Sequence, residues 1–351
     1  MTLQEAIEAI RPIDQDGLAR ANRRLDRLTK PPGSLGRLEE LAARYVGITG
    51  EERPSIPRAA IFTFAADHGV TDEGVSAYPR AVTAQMVLNF LRGGAGVNVL
   101  ALHVGAEVRV VDIGVAHEFG QLPGLTHRKV AHGTRNFLRE PAMTREQAIR
   151  ALEVGVTLAV EAVQEGVGLL GTGDMGIGNT TASTAMTAVL TGEPVAGVTG
   201  RGTGLDDVGL ARKITVIEQA LKMHQPDPAD PLNVLVKVGG LEIAGLAGLI
   251  LGGAACRRPV VLDGFIAGAA AMIAVGLAPR CREYLIASHL SVERGHQAVY
   301  TKLGLRPLLD LDLRLGEGTG ACLAISLVHA AIKILTGMAT FDEAGVSERL
   351  S

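Results

Sequence analysis

The sequence predicts an α/β protein built on a mostly parallel sheet, and three observations carry that prediction. Short apolar runs at 59–65, 108–113, 167–170, 260–262 and 284–287 alternate with helix-length segments, the sign of βαβ units. Gly supplies 44 of 351 residues, with no G-X-Y period and outside linkers, which excludes collagen-like and disordered chains. Aromatic residues are only 3% of the chain and Trp is absent, so the core is built from Ala, Val, Leu and Ile with close backbone packing.

The elements follow in order. Residues 1–50 read as helical, with Leu18, Leu25 and Leu28 on one face. Lys30-Pro31-Pro32-Gly33-Ser34-Leu35-Gly36 breaks this segment, and Ser34 is placed to cap a helix over 37–46. The polar stretch 51–57 carries two prolines and reads as a linker into a second unit. Beyond it, helices are expected at 82–91, 145–164, 181–190, 205–223, 242–255, 265–274, 292–302 and 319–335. Mean hydropathy is +0.25, but the uncharged runs 243–256 and 264–279 fall short of the ~20 residues a membrane span needs. They read as buried helices, where Gly245, Gly248, Gly252 and Gly268 allow close helix–sheet contact.

Bulk chemistry narrows the function. A net charge of -3 argues against a nucleic-acid partner, which asks for a basic patch. Cys256, Cys281 and Cys322 are an odd set without CxxC spacing, and read as reduced, half-buried residues of a cytoplasmic protein. The N-terminal segment has no apolar signal run. His127, His132 and the other histidines lack metal spacing and no H-E-x-x-H occurs, so no metal is expected.

Ligands of parallel sheets sit beyond the carboxyl ends of strands, so the loops there are the place to seek chemistry. Residues 171–176 match G-x-G-x-x-G after a strand, with Asn179 or Thr180 able to cap the following helix. Dinucleotide binding, sugar-phosphate binding and a packing turn all remain open for this loop, though Asp174 within it would repel a pyrophosphate. Gly200-Arg201-Gly202-Thr203-Gly204 precedes a helix with Arg212 and Lys213, and could hold an anion or simply cap that helix. Leu315-Gly316-Glu317-Gly318-Thr319-Gly320 sets one carboxylate among glycines. Glu317 is either a desolvated general base or an acid favoured in a helix's first turn, and Arg314 could pair with it. Asp67-His68 ends a strand, Cys322 reads as core, and Ser288-His289 with Ser291 lacks the G-x-S-x-G elbow of a hydrolase. No P-loop motif occurs.

Taken together, these segments resemble the nicotinate-nucleotide–dimethylbenzimidazole phosphoribosyltransferase family of cobalamin biosynthesis. The resemblance rests on Lys30 to Gly36, Asp67-His68-Gly69-Val70, Glu73-Gly74-Val75, Tyr78-Pro79, Val82 to Met86, and Gly176-Ile177-Gly178-Asn179-Thr180-Thr181. It continues in the loop at 200–204, in Leu262-Asp263-Gly264-Phe265, in Ser288-His289 and in the loop at 315–320. It implies transfer of the phosphoribosyl group of nicotinate mononucleotide to 5,6-dimethylbenzimidazole, giving α-ribazole 5′-phosphate and nicotinate with inversion. Another benzimidazole, a purine or a phenol is the alternative acceptor. The resemblance also implies a Rossmann-like large domain (53–335), a small helical domain (1–52 with part of 336–351), a homodimer, and neither cofactor nor metal. Glu317 would be the general base and Asp174 an assisting carboxylate. The family often has Glu at that second position, and Asp is one methylene shorter. Gly176, Gly178, Gly202, Lys213 and Ser291 would hold the phosphate. Tyr78, Pro79, Met86 and Leu315 would line the base pocket, which the scarcity of rings predicts to be mainly aliphatic.

Overall fold

The computed structural model describes residues 1–347. Six strands form one parallel sheet: β1 (Arg58–Ala66), β2 (Glu107–Gly114), β3 (Leu125–His127), β4 (Val167–Met175), β5 (Val260–Leu262) and β6 (Leu285–Ala287). Their order is β3-β2-β1-β4-β5-β6, and β7 (His289–Leu290) pairs with β8 (Leu309–Asp310) in a small separate sheet. This is the doubly wound Rossmann order, in which the chain leaves β1 in one direction and resumes at β4 in the other. The crevice between the carboxyl ends of β1 and β4 is therefore where a ligand fits. β3 falls outside the expected runs, because three residues in a polar, glycine-bearing stretch carry no periodic signal.

Strands covered on both faces should be apolar almost throughout, and β1 is buried from Ala59 to Ala66. Phe62 and Phe64 point to one core with helices Arg145–Gln164 and Leu241–Ala255. Ile61 and Ala65 point to the other, with helices Arg37–Thr49 and Thr319–Gly337. Glycine sets the closest contacts. A Cβ on Gly248 would overlap the Leu152 carbonyl, and one on Gly155 the Gly245 carbonyl. Gly245 faces Phe64 and Ile113 of the sheet, whereas Gly252 and Gly268 face neighbouring helices. The expected close approach is thus mainly helix on helix rather than helix on sheet.

Three expectations need correction at the local level. Helix Arg37–Thr49 opens on Gly36, at φ 53° and without a side-chain cap, so Ser34 does not cap it. The segment 171–175 is strand and not loop. Of the three thiols only Cys256 is half-buried, while Cys281 and Cys322 are fully buried and all three are free. Two apolar stretches other than those singled out are long enough to cross a bilayer, Val82–Val104 and Thr319–Gly337. The first is broken into helices Val82–Leu91 and Gly96–Val104, and the second buries Cys322, Ile325, Val328 and Ile332 in the core. The runs 243–256 and 264–279 lie in the buried helices Leu241–Ala255 and Phe265–Leu277.

The chain ends meet. Leu28 and Thr340 form an antiparallel bridge, flanked by Thr29 N–H to Ala339 O (3.0 Å) and Phe341 N–H to Arg27 O (3.0 Å). Residues 348–351 of the expected C-terminal contribution lie outside the described residues.

Candidate active site

A cleft of 480 Å³ opens over the crevice between β1 and β4. Of the residues singled out from sequence, Asp174, Gly176, Gly178, Gly202, Ser291, Tyr78, Met86, Leu315 and Glu317 line it. Lys213 and Pro79 do not. Pro79 lies on the exposed outer side of its turn, and Lys213 is buried behind the cleft wall. Val82, Met86, Ile177, Ile266 and Leu315 make much of the lining aliphatic, with Tyr78, Phe265 and the His289 imidazole as its aromatic rings.

Glu317 occupies an unusual backbone. Gly316 (φ 82°), Glu317 (φ 64°) and Gly318 (φ 110°) are three successive left-handed residues, a conformation that costs a non-glycine residue energy. The turn is wedged into the sheet. Thr63 Oγ1 of β1 donates to the Glu317 carbonyl (2.9 Å), and a Cβ on Gly173 of β4 would overlap that same carbonyl. Gly171 and Gly173 of β4 thus serve close packing against Ile61 and Glu317. They do not cradle a pyrophosphate, and the dinucleotide reading of 171–176 falls away. Glu317 precedes its own helix and so is not the acid of that helix's first turn. Its Oε2 instead accepts the Val97 N–H (3.1 Å) at the start of helix Gly96–Val104. Only 5% exposed, its carboxyl is pushed above the usual range by burial, with the Val97 and Gly96 N–H groups opposing. No ion pair joins it to Arg314 among the described residues.

Asp263 performs the capping that Glu317 does not. Placed just after β5, it accepts N–H groups from Gly318 (3.1 Å), Gly320 (2.7 Å) and Ala321 (3.1 Å), anchoring both the turn and helix Thr319–Gly337. Burial pushes its carboxyl up to about 7 against those donors. The sequence alone assigns Asp263 no role, although its place at a strand's carboxyl end is the available signal. Asp174, at the end of β4, accepts the Asn179 side-chain N–H at Oδ2 (2.8 Å), while its buried Oδ1 has no partner. Burial first, then Asp263 and Glu242, raise its carboxyl well above the usual range and favour its protonated form. Asn179 is therefore a partner of Asp174 and not the helix cap. That position is Gly178, at φ 94°. Asp67 and His68 lie under the cleft floor, where Asp67 Oδ2 accepts the Ala116 N–H (2.7 Å) and His68 Nε2 meets Glu242 Oε1 (2.6 Å). Ser288 Oγ is fully buried and donates to the Asp263 carbonyl (3.1 Å), which leaves it no nucleophilic role. His289 lines the cleft with its imidazole held neutral, its pKa pushed down to about 4 by burial.

The opposite end of the cleft is bounded by a helix N-terminus, with Lys213 buried behind it. Helix Asn179–Thr191 presents an N-terminus without a side-chain cap, and Lys213 Nζ bonds Thr180 Oγ1 in its first turn (2.8 Å) and Gly200 O (3.4 Å). Burial pushes the Lys213 ammonium down to about 8, with Glu293 opposing. Ser291 Oγ accepts the Glu293 N–H (3.3 Å), and the Gly202 N–H already donates to Glu293 Oε1 (3.0 Å). Sequence reasoning misses Glu293, because it is one acid in a polar stretch and its partner lies 91 residues away.

Comparison with known proteins finds relatives along nearly the whole chain. A sequence model of a phosphoribosyltransferase family matches residues 10–346. The chain is 63% identical over 346 residues to the nicotinate-nucleotide–dimethylbenzimidazole phosphoribosyltransferase of Geobacter sulfurreducens, covering 99% of this chain and 98% of that relative. It is 63% identical over 347 residues to the enzyme of the same name from Chloroflexus aggregans, with the same coverage. The crystal structure of CobT from Thermus thermophilus superposes with a TM-score of 0.91 at 52% identity, covering 95% of this chain and all of that one.

Proposed function

The chain belongs to this phosphoribosyltransferase family, and from that premise we propose that it transfers the phosphoribosyl group of nicotinate mononucleotide to 5,6-dimethylbenzimidazole. The products are α-ribazole 5′-phosphate, a precursor of the cobalamin nucleotide loop, and nicotinate. One benzimidazole nitrogen attacks the anomeric carbon as the bond to nicotinate breaks, its electron pair passing to the pyridine nitrogen. The benzimidazole N–H proton passes to Glu317. Attack opposite the leaving group turns a β-nucleotide into an α-nucleotide in one displacement and needs no enzyme nucleophile. The observation that carries this reading is Glu317, a buried carboxylate with raised proton affinity beside the aliphatic lining of Leu315, Met86 and Val82.

The remaining roles belong to the same proposal. Tyr78 and Met86, with Pro79 behind Tyr78, flank the base. Gly176, Gly178, Ser291, Gly202 and Lys213 serve the 5′-phosphate, favoured by the uncapped helix N-terminus at Gly178. Asp174, whose buried Oδ1 has no protein partner, is the assisting carboxyl beside the substrates. A small helical unit of 1–52 with part of 336–351, beside a catalytic unit of 53–335, is supported by the bridge between Leu28 and Thr340. A homodimer in the cytoplasm is part of the reading, and the exposed Val99 and Leu102 offer an apolar contact for a second copy.

Incubation with nicotinate mononucleotide and 5,6-dimethylbenzimidazole, with product mass and anomeric configuration measured, tests the reaction. An α-configured ribazole phosphate is expected, and its absence overturns the reading. A parallel panel of purines and phenols reads the acceptor preference.

A further inference from the structure

Glu293 sits where an anion belongs. The residue is only 8% exposed, and its Oε1 takes the Gly202 N–H at 3.0 Å. Oε2 has no partner and lies against Gly200. A Cβ on Gly202 would stand 3.3 Å from Lys213 Nζ, so the ammonium lies directly behind the glycine loop that lines this corner of the cleft. That corner also receives the uncapped N-terminus of helix Asn179–Thr191 through Thr180. Amide, ammonium and helix terminus together make an anion site, and two anions cannot share one N–H. Glu293 also forms the wall to a second pocket of 310 Å³ that holds Arg294 and Arg314. Neither arginine has a carboxylate partner among the described residues.

We propose that Glu293 is an internal stand-in anion that the nucleotide's phosphate displaces from Gly202 toward Arg294 and Arg314, so that Glu293 sets nucleotide affinity. The inference rests on the proposed reading only in naming that anion as the 5′-phosphate. Glu293 touches no reacting atom and is a positioning residue. Its carboxylate keeps Gly202 and Lys213 in place before the nucleotide arrives, and opposes the nucleotide for the same donors. Its two seats, one on the glycine loop and one among the arginines, form the two-state element that the phosphate biases.

Calorimetry with inorganic phosphate, on the wild-type chain and on Glu293→Gln and Glu293→Ala, tests this without any turnover. Removing the competing charge should tighten phosphate on the order of tenfold, the worth of one charge-assisted hydrogen bond. The KM for nicotinate mononucleotide should fall by a similar factor while kcat does not rise. A merely structural role would move both quantities the other way. Unchanged or weaker phosphate binding in the folded variants overturns the proposal. If the neutral variants do not fold, Glu293→Asp replaces them. It keeps the charge but falls short of Gly202, so it too should tighten phosphate, and unchanged or weaker binding there equally overturns the proposal. A chain that binds phosphate as expected yet makes no ribazole phosphate would refute the functional reading and leave this inference standing.

Discussion

Two glycine loops bound the cleft, and they are built in opposite ways. The loop at 315–320 is fixed from several sides. Asp263 holds three of its N–H groups with Ala321 included, Thr63 holds the Glu317 carbonyl, and Val97 holds the Glu317 carboxylate. The loop at 200–204 is held by the Glu293 carboxylate on Gly202, and by Thr203 Oγ1 meeting Ser76 Oγ (3.1 Å) and the Ala77 N–H (3.0 Å). Gly204 has open space beside it. In the proposed reaction, the end that moves a proton is the preorganised one, because rate depends steeply on the placement of the reacting groups. The end proposed to admit and release the phosphate keeps its donors on an exchangeable partner.

The largest effects should come from breaking the rigid end. Glu317→Gln keeps the shape and the Val97 contact but removes the base, and should lower kcat by ~10²–10⁴ with nucleotide binding intact. Steady-state rates beside calorimetric nucleotide binding check this, and wild-type turnover would remove Glu317 from its assigned role. Gly173→Ala keeps every catalytic side chain but forces the Glu317 carbonyl away from β4. A displacement of that kind should cost kcat about 10²-fold. Equal losses in Thr203→Ala, which removes the Ser76 and Ala77 contacts of the other loop, would erase the contrast between the loops.

The adjustable end should show itself in KM. Lys213→Met should raise the nucleotide KM about tenfold or more, as one charged hydrogen-bond donor is lost, with a smaller change in kcat. The same lysine gives a pH signature. Its ammonium is depressed to about 8, so the wild-type KM should climb as pH rises through about 8 and stay flat in Lys213→Met. Stability runs the other way. A lysine whose folded pKa lies below its ordinary 10.5 disfavours folding while charged, so that penalty is relieved as pH rises from about 8 to 10.5. A KM that ignores pH in the wild-type chain would place the phosphate away from Lys213.

How much of this is legible in the sequence follows from how local each signal is. β1, β2, β4, β5 and helix Arg145–Gln164 announce themselves by apolar runs and period, because burial on one or two faces writes directly into residue order. Glu317 stands out because glycines on either side are a local pattern. G-x-G-x-x-G misleads, since glycine serves both a phosphate turn and close strand packing, and only the third dimension reveals the Glu317 carbonyl against Gly173. Asp263 and Glu293 act on partners 55 and 91 residues away, and no spacing rule links them to Gly318 or Gly202. Lys213 has the right charge at a plausible place, but its burial behind Thr180 depends on how two helices pack.

The smallest effect should come from the acid that looks most like a second base. Burial, Asp263 and Glu242 all disfavour charge on Asp174, so the folded chain favours its neutral form. Asn copies a protonated carboxyl in shape, can still accept from Asn179, and can still donate from the atom that replaces Oδ1. Asp174→Asn should therefore change kcat by less than about threefold, under ~1 kcal/mol, in contrast to the parallel change at Glu317. A carboxyl whose folded pKa lies above its ordinary 3.8 favours folding only while protonated, and that contribution is lost as pH rises above about 4. The wild-type melting temperature should accordingly fall relative to Asp174→Asn between pH 5 and pH 8 (roughly the window in which an unfolded Asp is already ionised). A large loss of kcat with no such crossing of the melting curves would mean that Asp174 works as an anion, and the cleft would then hold two bases instead of one.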